Sequence, residues 1–352
     1  MTTGELVLWA GLIIGLAFGI CGQLTGFCLM SGLRGWWVEG DGRKIRAFAL
    51  AGAVAILGSQ MLDALTPMSL TQSLYVQGTF SIPMVVLGGA LFGYGMVMSN
   101  GCGARSLVLL GQGNLRSFLV LVCLGLAAGM TLTGLIAPLR VAGNAASSTG
   151  VGVSPANLPG LIGALGVDAN IARWVLVALV SGGLAAFALK SAAFRADPKA
   201  LSSGIVIGIL IPAGWYVTGI LGYDDFDPTP LASFTFIAPI GDAIQYAMLA
   251  TGTRLSFGVA IVIGVFLGAL ASALLTRTAK IEGFTRPRSM IRYMLGGALM
   301  GCGGALALGC SIGQGLTGLS TLALTSFVAI AGILAGAAMA LRGPVRLPAP
   351  QP

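Results

Sequence analysis

Two cysteines sit on glycine-rich breaks of an otherwise apolar chain: Cys102 in SNGCGARS and Cys310 in ALGCSIGQG. Such a break exposes backbone N–H and C=O groups, which are tolerated at membrane depth only where protein or a wet cavity satisfies them. A thiol at that place is a weak hydrogen-bond donor and a soft, polarizable acceptor that pairs well with another sulfur. Free N–H groups at a broken helix end attract anions. A row of thiols along a path therefore suits a soft, sulfur-bearing anion whose hard end rests on N–H groups, with the hydroxyls of Ser106 and Ser311 nearby. A fully hydrated oxyanion would call for Arg, Lys and many N–H groups instead. Binding must stay weak and spread over several stations if the ion is to move on, because a deep well traps it. The candidate contacts are Cys102, Cys310, Gly101, Gly103, Gly309, Ser311 and Gln314. Gln314 and Gln112 lie in GQG triplets after the two breaks; each either donates to the anion or satisfies loop carbonyls.

The other four cysteines divide differently. Cys123 lies in LVLVCLGLAAG and reads as a small apolar packing residue. Cys302 is a secondary candidate. Cys28, in LTGFCLMSG, precedes a basic loop that starts at Arg34, and Cys21 lies seven residues earlier on the same helical face. Spacing alone does not separate Cys21 from Cys28. There is no C-x-x-C, no metal-ligand spacing and no histidine, so histidine acid–base catalysis, haem ligation, structural zinc and iron–sulfur sites are excluded or improbable. No cofactor is expected. Disulfides are not expected either, because most of these cysteines lie inside spans.

The elements that must position these thiols are membrane helices. Of 352 residues, 56% are hydrophobic and only 9% charged, far below the roughly 25% charge of soluble domains. Nine spans are expected, at 6–30, 46–66, 81–99, 116–138, 171–190, 203–222, 255–276, 290–309 and 323–341. The shorter, proline-interrupted segments 157–166 and 231–250 read as interfacial or re-entrant pieces. Glycine, at 55 residues, permits close helix approach. The amino terminus lacks the basic region and cleavage site of a signal peptide and reads as the start of the first helix.

Alternate loops sort the nineteen Lys and Arg sixteen to three, with Arg140, Arg173 and Arg254 on the minority side. That bias puts the N-terminus outside and the C-terminus in the cytoplasm. Asp224, Asp225 and Asp227 fall on the outer side. The net charge of +8 is mostly this loop bias and needs no nucleic-acid partner.

The chain repeats itself. GGALFGYGMVMSNGC (88–102) matches GGALMGCGGALALGC (296–310), and Thr25-Gly26 aligns with Thr218-Gly219. Four spans per half around a linking fifth place corresponding spans five apart, which reverses their direction. The expectation is two inverted-topology repeats, 1–140 and 201–342, joined by 141–200 and followed by a disordered tail, 343–352. One difficulty follows: fully crossing third and eighth spans would leave Cys102 and Cys310 on opposite faces. The two thiols meet only if those helices end deep or fold back.

GFC at 26–28, GYGMVMSNGC…GQGNLRS at 93–117 and GGALMGCGGALALGCSIGQGLTGLS at 296–320 resemble the YeeE/YedE family of bacterial membrane proteins. Members are known as thiosulfate transporters, and others are tied to sulfur-compound handling. The resemblance implies an hourglass-like bundle with paired loops meeting at a narrow centre, in the bacterial inner membrane. It implies functional cysteines at Cys28, Cys102 and Cys310, and relay of thiosulfate inward by S–H···S hydrogen bonds. It thereby favours Cys28 over Cys21. Cys21, Cys302 and Arg105 depart from the family pattern; Arg105 either binds the anion or is a cytoplasmic loop residue. Two other readings fit the same residues: a membrane receptor for sulfane sulfur, and a thiol-dependent transfer of sulfur to a small cytoplasmic carrier protein.

Overall fold

Thr2 caps the first helix through a capping box with Glu5, and helix α1 runs Thr3–Thr25 until Gly26, at φ 67°, ends it. The computed structural model describes residues 2–76, 79–150, 155–164, 166, 168–224, 229–284 and 287–343. Asp225, Asp227 and the tail from 344 onward lie outside the described residues.

After α1, a short α2 (Leu29–Arg34) continues into one π turn, Gly35–Glu39. The loop expected to start at Arg34 therefore starts at Gly40, whose φ of 78° closes the turn. Then come α3 (Arg43–Leu65), α4 (Ile82–Met98), α5 (Gly103–Gly111), α6 (Leu115–Leu132), α7 (Ala137–Ser147) and α8 (Leu158–Gly163). The second half has α9 (Ala169–Leu189), α10 (Ala192–Arg195), α11 (Pro198–Tyr216), α12 (Ile237–Met248), α13 (Phe257–Leu275), α14 (Pro287–Leu306) and α15 (Leu324–Arg342). Thr79–Phe80 and Thr149–Gly150 form a two-residue antiparallel pair. The protein is an all-α polytopic membrane protein.

Among the described residues, eight helices are long and apolar enough to cross a membrane. The eighth expected span, 290–309, forms as α14, a 20-residue helix outside that set. Its sequence carries Arg288, Arg292 and five glycines, which lower its hydropathy. Its second half, from Gly296 on, is largely buried, and the helix packs against α4 and α6. The segments read as interfacial or re-entrant form the short helices α8 and α12. The third and eighth spans both stop at the glycine breaks, and α5 resumes as a separate nine-residue helix.

Glycine sets the closeness of these contacts. The main pairings are α1 on α13, α3 on α11, α4 on α15, α6 on α14, and α4 on α14. A Cβ added at Gly15 of α1 would lie 2.6 Å from Ile261 O of α13, and one at Gly89 of α4 2.7 Å from Ala329 O of α15. One at Gly297 of α14 would lie 2.7 Å from Val120 O of α6. In lipid, where the hydrophobic effect does not drive helices together, such small-residue seams supply the packing energy.

Candidate functional site

The two glycine breaks have the same local geometry. In the first, Asn100 takes φ 58° and the Gly101 N–H donates back to Met96 O at 3.0 Å. In the second, Leu308 takes φ 57° and the Gly309 N–H donates back to Gly304 O at 2.8 Å. Each is a Schellman-type ending with one residue in the left-handed region. Asn tolerates that region; Leu does not, and the cost is about 1–2 kcal/mol. Both turns deliver a cysteine to the start of the next helical segment. Cys102 is the N-cap of α5, whose first N–H groups have no intrahelical acceptor. Cys310 accepts at Sγ from the Gly313 N–H at 3.2 Å, where the π segment Gly313–Gly318 begins. Cys28 is reached through Gly26 and is the N-cap of α2.

These three thiols come together. The Cys28 and Cys102 side chains lie close enough to interact, and Ser31 lies beside Cys28. The Ser311 hydroxyl and the Cys310 thiol also lie near Cys102. Cys28, Cys102 and Cys310 are 3%, 2% and 1% exposed, so the row is sealed from solvent at both ends. All three are free thiols. Ser311 is 1% exposed, and its Oγ has no well-oriented hydrogen-bond partner among the described residues. A buried hydroxyl left this way costs free energy that an incoming acceptor would recover. The meeting of Cys102 and Cys310 resolves the difficulty raised by the sequence: α4 and α14 end inside the bundle, and the chain turns there.

The remaining candidates fall in distinct places. Gly103 is packed tightly, with Ile240 Cδ1 3.1 Å and Leu124 Cδ1 3.3 Å from where a Cβ would stand. Gln314 is fully buried; its amide donates to Ala307 O at 2.6 Å and its carbonyl accepts from Ser326 Oγ at 2.7 Å. It braces the Cys310 loop. Gln112, its counterpart after the first break, donates to Thr278 O on the protein's edge, away from the thiols. Ser106 is buried on α5. Cys21 is hydrogen-bonded with Thr25 on its own helix, Cys302 accepts from Thr131 Oγ1 at 3.4 Å between α14 and α6, and Cys123 is half-buried. The structure brings none of these three to the thiol row. Arg105 is half-buried near Cys28, with Nη1 donating to Gly22 O at 3.2 Å.

Sequence reasoning missed Tyr75, Thr235 and Phe236. Tyr75 and Thr235 stand beside Gly313, with Oγ1 of Thr235 2.8 Å and the Tyr75 hydroxyl 3.3 Å from where a Cβ would be; the Phe236 backbone faces Cys310. They come from loops with no counterpart in the repeat, so no pattern marked them. Asn100 was legible: it aligns with Leu308, and two aligned non-glycines before glycine already signal a shared turn.

Two cavities are lined by residues that neighbour the thiols in the chain or in space. One, of about 820 Å³, is lined by Thr3, Glu5, Ser233, Thr235, Asp242 and Arg254, and Thr235 stands between it and the Cys310 loop. The other, of about 170 Å³, is lined by Thr25, Phe27, Lys44, Asp197, Lys199 and Ser203. Phe27, stacked on Phe48 at 5.6 Å, separates it from Cys28. No cluster of three His, Cys, Asp or Glu able to hold a metal occurs among the described residues.

A family model described as sulphur transport matches residues 24–339. The chain is 25% identical over 323 residues to the thiosulfate transporter TsuA of Escherichia coli (strain K12), covering 88% of this chain and 87% of the relative. It is 24% identical over 335 residues to the thiosulfate transporter TsuA of Spirochaeta thermophila, covering 92% and 94%.

Proposed function

This chain belongs to the sulphur transport family, and on that premise we propose that it takes up thiosulfate, or a closely related sulfur anion, by passing it along Cys310, Cys102 and Cys28. The observation that carries this reading is the cluster of three buried free thiols at the two helix breaks and the start of α2. Thiosulfate has a soft terminal sulfur and a hard sulfonate end. Each thiol donates S–H to the terminal sulfur in turn, and the N–H groups opening α5, with the Ser311 hydroxyl, receive the sulfonate oxygens. No bond is made or broken, so no oxidant, metal or cofactor is called for. Neutral donors keep each station shallow, as passage requires.

The excess of Lys and Arg on one side orients the path. With the N-terminus outside and the C-terminus in the cytoplasm, the cavity at Thr3, Glu5 and Thr235 is the outer vestibule and that at Lys44 and Lys199 the inner one. The membrane is then the bacterial inner membrane, and a cytoplasmic sulfur carrier or regulator could meet the basic inner loops. The organisation we infer is two inverted repeats, 1–140 and 201–342, around the linker 141–200. Exchanging the halves carries the α1–α13 packing onto α11–α3 and the α4–α15 packing onto α14–α6. The matched turns at Asn100 and Leu308 support the same reading.

Burial weighs against the sulfur-transfer alternative, because a carrier protein cannot reach a thiol that is 3% exposed. A receptor would keep the same site and differ only in output. The deciding experiment expresses the chain in a host without thiosulfate uptake, with thiosulfate as sole sulfur source. Growth supports transport; membrane expression without growth or uptake removes it.

A further inference from the structure

Two arginines flank the Cys28–Cys102 pair. Arg34 closes α2, and its Nη1 donates to Asn100 Oδ1 at 2.8 Å, two residues before Cys102. Arg105 lies in the first turn of α5. Its stem packs against Gly101, where a Cβ would stand 3.2 Å from Arg105 Cγ, and its charge acts on Cys28. Both residues are half-buried. Among the described residues the ion pairs join Arg43 to Asp41 and Asp197, and Arg173 to Asp63; neither Arg34 nor Arg105 has a carboxylate within reach.

A guanidinium carries five N–H donors in a planar fork. Arg34 and Arg105 each spend one on a neutral oxygen. Withdrawing a cation from water without a counter-charge costs free energy, and an anion arriving beside it recovers that cost. The fork also matches the oxygens of a sulfonate better than a point charge does. Thiols and guanidiniums thus stand side by side, one soft and one hard.

We propose that Arg34 and Arg105 form an oxyanion subsite beside Cys28 and Cys102, which holds the sulfonate end of an S-sulfonate dianion while the thiols hold its terminal sulfur. This subsite rests on the thiosulfate reading above. It makes recognition two-ended: sulfate lacks the soft sulfur, and hydrosulfide lacks the oxygens. Because both arginines lie on the Cys28 side of the row, they also draw the dianion toward the basic end of the protein.

The test is binding of radiolabelled thiosulfate to the purified full chain in nanodiscs, for wild type, Arg34→Gln, Arg105→Gln, Arg105→Lys and the double Gln variant. Arg195→Gln, on the exposed α10, is the control. Losing one charge-assisted contact weakens binding roughly tenfold, and losing both weakens it more. Arg105→Lys falls between wild type and Arg105→Gln. Competition by hydrosulfide, which touches only the thiols, stays unchanged in every variant. Thiosulfate affinity within twofold of wild type in the double variant overturns the subsite alone. So does a parallel loss of hydrosulfide competition, which would mean a purely structural role. A wild type that binds no thiosulfate overturns the substrate reading as well.

Discussion

Asn100 and Leu308 hold the same left-handed backbone, φ 58° and 57°, at equivalent places before the two site cysteines. In the first break the residue suits the conformation; in the second it does not. The Cys310 turn is therefore the strained member of the pair. Replacing Leu308 by Gly relieves about 1 kcal/mol of backbone strain, less whatever contact its half-buried side chain gives up. Leu308→Ile, β-branched at the same φ, is expected to destabilise by about 1–2 kcal/mol. Thermal unfolding midpoints in detergent check both; a lower midpoint for Leu308→Gly would show that the side-chain contacts outweigh the strain.

Cys102 is the thiol near both Cys28 and Cys310, with Ser311 close by. Cys102→Ala should abolish thiosulfate uptake, and Cys28→Ala and Cys310→Ala should each reduce it by about tenfold or more, the worth of one lost hydrogen-bonding station. Cys123→Ala, Cys21→Ala and Cys302→Ala should stay within about twofold, because their neighbours lie elsewhere and small apolar replacements suit those sites. Initial uptake rates at equal membrane expression decide the matter. Equal loss in Cys123→Ala would undo the site assignment.

Gln314 spends its amide on Ala307 O and its carbonyl on Ser326. Gln314→Leu leaves both partners buried and unsatisfied, at about 1–3 kcal/mol. A bracing role predicts a lower unfolding midpoint and a lower maximal uptake, with the thiosulfate KM unchanged. A direct contact with the anion predicts a raised KM instead, and steady-state uptake kinetics separate the two.

Close helix seams give a paired prediction. Gly88→Ala puts a methyl 2.6 Å from Ala307 N, a backbone atom that cannot step aside, and should cost about 1–3 kcal/mol. Gly183→Ala on α9 meets nothing within 4 Å and should be neutral or stabilising by about 0.5–1 kcal/mol. Unfolding midpoints of the two variants should move in opposite directions, or the second not at all.

The apolar runs from α1 to α15 were legible because crossing hydrocarbon demands about twenty apolar residues in a row, whatever the fold. The glycine breaks were legible for a related reason: exposed backbone at depth needs a built environment, and the repeat marked where that is. The exception was α14. Its length made it look like its neighbours, but its glycines, Arg288 and Arg292 lower its hydropathy, and burial of its second half against protein relaxes the demand for apolarity there. Helix α7 straddles the expected boundary at 140, where a short segment of mixed polarity carries weak periodicity.

By itself, then, the sequence determined a polytopic helical membrane protein and a pair of matched cysteine-bearing glycine breaks, because these follow from composition and local spacing. Tertiary structure decided which thiols touch. It put Cys28 against Cys102 and turned Cys21 toward Thr25, although both cysteines share one helical neighbourhood. It gave Gln314 to the loop and stood Arg34 beside Asn100, 66 residues away in the chain. Those outcomes depend on where α1, α4 and α14 stop inside the bundle and on how closely glycine lets them approach. No window of neighbouring residues contains that information.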